Sequence, residues 1–113
     1  MEKDYTLISI YASESTRADR KPFHEAVLKA VQDSGSRARC VVLRGIAGVD
    51  GSGRVATKKI EILSLDLPIK IEVLVPESAA AALMDSLVAL APEDVVMFSQ
   101  RVTASAGACG QKR

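Results

Sequence analysis

The chain contains no tryptophan, and its aromatic rings are few: Tyr5, Tyr11, Phe23 and Phe98. Proteins that hold single-stranded nucleic acid stack bases on aromatic faces interleaved with basic side chains, and four rings make a poor platform. Charge of one sign is lacking too, since 15 Lys and Arg stand against 14 Asp and Glu, a net +1 over 113 residues. No global field draws such a chain to nucleic acid or to an anionic membrane, so any anion site must be local. Two cysteines, Cys40 and Cys109, do not make a disulfide framework, and reduced thiols in a cytoplasmic protein are expected. The single histidine, His24, together with two distant cysteines, falls short of the three or four ligands of a metal centre. Nor is His24 accompanied by a specified nucleophile or orienting carboxylate, so it is read as a helix-surface or interface residue rather than a catalytic base. No apolar run approaches the ~20 residues that span a bilayer. The charged start, Glu2 to Asp4, runs straight into a strand pattern and is not that of a signal peptide.

What is present is an aliphatic pattern, in a chain 48% hydrophobic and 26% charged, that suits one globular domain. Residues 5–12 alternate with Tyr5, Leu7, Ser9 and Tyr11 on one face and Thr6, Ile8 and Ile10 on the other, which is a strand. After a polar loop from Ser13 to Arg20, Pro22 stands where a helix begins. Phe23, Ala26, Val27, Ala30 and Val31 then make one helical stripe, and Gly35 closes a helix over about 21–34. Cys40 to Leu43 is a second strand. Strand character returns at Lys59–Leu63 and again at Ile69–Val75, where Ile69, Ile71, Val73 and Val75 share a face. Pro68 predicts a bend or bulge before the latter. Glu77 opens a second helix with stripe Ala80, Leu83, Met84, Leu87, Val88 and Ala91, stopped by Pro92. Val95–Phe98 is the last main strand, extending toward Val102, and 104–113 reads as a flexible tail.

The order β-α-β-β-α-β predicts an α+β, ferredoxin-like domain over 1–103, with a four-stranded antiparallel sheet and both helices on one face. The other face is left bare and largely apolar, which marks an interface between copies of the chain.

The unusual segment is Arg44 to Arg54, with glycines at 45, 48, 51 and 53, through which no regular element is expected to persist. Backbone N–H groups freed by glycine form a nest for an anion, with Arg44, Arg54 and Lys58 to supply charge. It is no Walker A loop, because Arg54 and Val55 stand where Lys and Ser or Thr belong. The simpler reading makes the glycines serve mobility alone. Arg44, at the foot of the loop, either grips a phosphate or pairs with Glu14 or Asp66. Glu14, Lys21 and Asp66 form an ion-pair set on the structural reading.

Ile10-Tyr11, Glu14, Lys21-Pro22, Glu25-Ala26, the run Leu43 to Gly48, Ser52 to Arg54, Thr57-Lys58 and Asp66 to Pro68 resemble, in this order, blocks of the PII-like proteins catalogued as a domain of unknown function. The resemblance spans roughly 6–103. It implies a homotrimer with sheets facing inward, as in PII signalling proteins and the CutA family, and a T-loop at Gly48–Lys58. An adenine nucleotide (ATP, ADP or AMP) would bind in clefts between subunits, with Arg44, Gly45, Gly48, Gly53, Arg54 and Lys58 as ligand-binding residues. The phosphate-holding loop of PII proteins corresponds here to Ala91-Pro92-Glu93-Asp94, which has no glycine and two acids.

The reading that follows is a non-enzymatic, cytoplasmic signalling protein that binds a small anionic ligand, with no metal and no nucleic acid. One alternative is a ligand-independent accessory module for a membrane ion-export transporter or channel, since relatives are often encoded near fluoride channels. Another is an enzyme on a phosphorylated metabolite.

Overall fold

The computed structural model describes residues 3–57 and 66–105. The elements are β1 (Asp4–Ser13), β2 (Arg17–Ala18), β3 (Lys21–Pro22), α1 (Phe23–Ser34), β4 (Arg39–Arg44), β5 (Ala47–Val49), β6 (Val55–Thr57), β7 (Pro68–Pro76), α2 (Glu77–Leu90) and β8 (Val96–Thr103). β4, β7, β1 and β8 form one four-stranded antiparallel sheet in that order, and both helices cover the same face. The α+β, ferredoxin-like expectation is met. The strand expected at Lys59–Leu63 lies outside the described residues, as does the tail beyond Ser105.

Alternation decides which side chains go inward. Along β1, Ile8 and Ile10 are fully buried, and in register across β7 stand Val73 and Ile71, equally buried. α1 lays Phe23, Val27 and Val31 on them, and α2 adds Ala80, Leu83 and Leu87. Val88, assigned by periodicity to the inward stripe of α2, is 54% exposed. The helix is wider than the face it covers.

The helix ends follow local chemistry. Pro22 and Pro76 are the N-cap residues, extended, one step earlier than the first helical position. α1 ends on Gly35 at φ 63°, left-handed, a conformation that costs a glycine little. α2 instead ends on extended Ala91, because Pro92 clashes with a helical residue before it.

Two expectations are corrected. Pro68 makes no bulge: it is the first residue of β7, where a missing N–H is tolerated, and pairing runs unbroken to Ser13 opposite it. The glycine-rich segment does hold regular structure, since β5 and β6 pair as a small antiparallel hairpin with Gly48 opposite Ala56. Its turn is tied by the Asp50 backbone, which donates to the Arg54 carbonyl at 3.0 Å and accepts from Gly53 N–H at 2.9 Å. Gly53 supplies the φ of 88° that the turn requires. The loop after β1 carries a second small ribbon, β2 with β3, that alternation alone did not signal.

Candidate functional site

Three chain segments meet at the foot of the hairpin: the end of β1, the exit of β4 and the start of β7. Glu14 and Leu67 bind each other twice, with Glu14 N–H donating to the Leu67 carbonyl at 3.0 Å and Leu67 N–H to Glu14 Oε1 at 3.3 Å. The second carboxylate oxygen of Glu14 pairs with Arg44 Nε at 2.8 Å. Beside it, Asp66 accepts from Ser15 N–H at 2.9 Å and from Ser15 Oγ at 2.7 Å. Gly45 N–H donates to the Pro68 carbonyl at 2.8 Å.

The glycines of the entry strand have a steric reason to be there. A Cβ on Gly45 would lie 2.9 Å from Pro68 Cγ, and one on Gly48 2.8 Å from the same atom. Their lack of a side chain lets the hairpin lie against the proline ring. Gly51, in contrast, faces open space.

At the tip, the nest anticipated for an anion is occupied by the chain's own carboxylate. Asp50 Oδ1 accepts from Ser52 N–H at 2.8 Å, Ser52 Oγ at 2.7 Å and Arg54 N–H at 2.9 Å. The Ser52 hydroxyl, then the two backbone donors, hold the Asp50 carboxyl below the ordinary carboxylate value. Of the six residues singled out, Arg44, Gly45 and Gly48 gather at the junction, and Gly53 and Arg54 lie at the self-closed tip. Lys58 lies outside the described residues. Glu14, Ser15 and Asp66 are the junction's other polar members. The 51 to 53 residues between their partners hide these contacts from any local pattern, whereas Asp-Gly-Ser-Gly is itself a turn signal.

The second feature is the sheet face turned away from the helices. Val41, Leu43, Tyr11, Val96 and Phe98 are all between 43% and 58% exposed there. Tyr11 stacks on Phe98 with centroids 6.3 Å apart, and Lys70 Nζ stands 5.7 Å over the Tyr11 ring while pairing with Glu72 at 3.2 Å. Tyr11 is on this side because it alternates with the inward-facing Ile8 and Ile10. Two open grooves, of about 550 and 500 Å³, lie elsewhere, one by α1 and Cys40 and one by α1, Asp19 and Leu90. Neither is lined by Arg44 or the hairpin. Burial at the first raises the Cys40 thiol above its ordinary pKa. Among the described residues no helix is long and apolar enough to cross a membrane, and no metal-ligand cluster is found.

Comparison with solved structures places this fold beside PII-like proteins. A candidate PII-like signaling protein from Thermus thermophilus superposes with a TM-score of 0.56 at 18% identity, over 95% of this chain and 96% of that one. CPII, a nitrogen regulatory PII-like protein from Thiomonas intermedia bound to ADP, AMP and bicarbonate, gives a TM-score of 0.55 at 13% identity, over 91% and 92%. A de novo designed protein, Foldit4, reaches 0.53 at 9% identity over 92% and 100%, so likeness at this level speaks of the fold alone. Residues 5–104 match the model of the family described as DUF190, Uncharacterized ACR.

Proposed function

This chain belongs to the DUF190 family, and from that premise we propose that it is a PII-like regulatory protein: a cytoplasmic homotrimer that binds a small anionic ligand between subunits. The ligand we propose is an adenine nucleotide, ATP, ADP or AMP, as in the nucleotide-bound CPII structure. The observation that carries the reading is the bare, apolar sheet face lying next to a cationic side chain at the foot of a glycine-rich hairpin. A second copy seated on that face removes Tyr11, Val41, Leu43, Val96 and Phe98 from water. The clefts at its rim then receive Arg44.

Within this reading Arg44 is the principal phosphate ligand and Arg54 with Lys58 approach from the loop. Gly45 and Gly48 seat the hairpin against Pro68 beside Arg44, and Gly53 shapes its turn. Because Asp50 already fills the amide nest at the tip, the phosphates meet the foot of the loop first. The turn after α2, Ala91-Pro92-Glu93-Asp94, offers two acids and no glycine, so it does not serve as the phosphate grip. Loop order then reports occupancy to a partner, for which a membrane transporter or channel is the proposed class. No catalytic step is assigned.

Native mass spectrometry of the purified protein, alone and with ATP, ADP and AMP, tests this directly. Three chains with added nucleotide mass is the expected result, lost in Arg44→Ala with the trimer intact. A trimer that takes up none of the nucleotides defeats the ligand and leaves a ligand-independent accessory module. A monomer defeats the assembly.

A further inference from the structure

Arg44 is not idle in the structure, since its guanidinium is held by a carboxylate that also fastens the far end of the loop. We propose that Glu14 sets the preference of the Arg44 site, as an internal anion that a phosphoryl group displaces more readily than a carboxylate does. The inference rests on the anion-binding reading above and adds to it which anion is admitted, and at what structural consequence.

The chemistry turns on competition for one cation. A monoanionic carboxylate arriving at Arg44 exchanges like for like with Glu14, and gains little. A terminal phosphoryl group carries about −1.5 to −2 charge at neutral pH and three acceptor oxygens, and a guanidinium offers five N–H donors of which Nε is one. The phosphoryl group therefore outbids the carboxylate where another carboxylate does not. The displaced pair is weak enough to yield: the Arg44 side chain is 61% exposed and that of Glu14 30%. An exposed pair of this kind holds at most about a fivefold preference, about 1 kcal/mol at 1.4 kcal/mol per tenfold.

Glu14 has a second tie. Its other oxygen accepts from Leu67 N–H, two residues before Ile69 enters the buried ladder opposite Arg44. Drawing Arg44 toward a phosphate removes the charge that holds the Glu14 carboxylate in place, and so loosens Leu67 at the loop's exit. Arg44 at the entry and Leu67 at the exit are thereby linked through one side chain.

Glu14→Gln separates the two ties, because a Gln carbonyl still accepts from Leu67 N–H while the negative charge on Arg44 is gone. Asp66→Asn is the control: it removes a carboxylate from the same junction, one bound to Ser15 and not to Arg44. ADP is titrated by calorimetry into the wild type, both variants and Glu14→Gln/Arg44→Gln, with thermal melts to confirm folding. The expected result is ADP binding about three- to fivefold tighter to Glu14→Gln, within twofold of wild type for Asp66→Asn, and abolished in Glu14→Gln/Arg44→Gln. Equal tightening in Glu14→Gln and Asp66→Asn shows a general field effect and overturns the proposal, as does no tightening in Glu14→Gln. Absence of binding to every folded chain overturns both it and the anion-binding reading, an outcome distinct from the other two.

Discussion

Gly48 shows how much a single position can carry. The hairpin reaches the sheet only because two residues lack a Cβ against the Pro68 ring. Gly48→Ala is expected to destabilise by about 1–3 kcal/mol, the usual cost of forcing atoms into a filled space, measured as a lower melting temperature. Gly48→Ala with Pro68→Ala, which removes the offending Cγ, recovers most of that loss, whereas Gly51→Ala is silent. Recovery failing in the double variant means the ring contact is not the cause. Asp50 makes a different claim, through pH. Its folded pKa is lowered by the hydrogen bonds it accepts, so its support for the hairpin is complete above the ordinary Asp value of about 3.9 and vanishes as pH falls through the lowered folded value. Protection of the Ser52 and Arg54 amides, relative to their intrinsic exchange rates at each pH, should fall in that acid window, and Asp50→Asn should show the reduced protection already at neutral pH. A pH-independent protection pattern in the wild type contradicts the assignment. Asn at this position still accepts, so the expected loss is partial.

Elements were legible where pattern and chemistry are local. Alternation through Ile8 and Ile10 and through Ile69 to Val75 marked the buried faces of β1 and β7, and the structure has Ile8, Ile10, Ile69, Ile71, Val73 and Val75 at 4% exposure or less. The Phe23, Val27, Val31 spacing placed α1 on them. Phe23 is 1% exposed, among the largest buried side chains, and Phe23→Ala should cost about 3–5 kcal/mol. That is a large share of the roughly 5–15 kcal/mol of an ordinary domain, readable as a shift in the urea midpoint. A loss under about 1 kcal/mol would mean that the α1 interface can collapse around the gap. The hairpin of β5 and β6 was not legible, because four glycines argue against regular structure. Asp50, with the turn geometry of Gly53, holds the two strands together nonetheless. Propensity lost here to side-chain hydrogen bonding and to a contact with Pro68, far along the chain.

At the scale of the whole molecule the bare sheet face is the feature that calls for a partner. The charged pair on it, Lys70 with Glu72, is internal to the chain and sums to zero, so that pair can be covered without bringing a net charge out of water. Glu72→Leu leaves Lys70 without this partner and is expected to weaken the proposed assembly, by about 3–5 kcal/mol where the interface buries the pair. Lys70→Leu/Glu72→Leu is expected to restore it, and sedimentation velocity reads both. Assembly unaffected in the single variant places the interface elsewhere. Phe98→Glu offers an independent check, since it should yield a folded monomer with an unchanged helical signal.

The sequence by itself determined the order of the four main-sheet strands and two helices, most inward faces and the class of fold, because side-chain periodicity and proline and glycine chemistry act over a few residues. It also brought Arg44 to the foot of a glycine-rich loop, and the ordered blocks carried the family resemblance that the match over 5–104 bears out. Only the tertiary structure decided what Arg44 touches, that Asp50 fills the tip, and that Gly45 and Gly48 share one proline ring. The Asp50 contacts are local, but Arg44 with Glu14 and Gly45 with Pro68 stand 30 and 23 positions apart, and Glu14 with Leu67 at the same junction 53. Once the sheet has brought the segments together, the partner of each charge depends on distances of a few ångströms, which no spacing along the chain encodes.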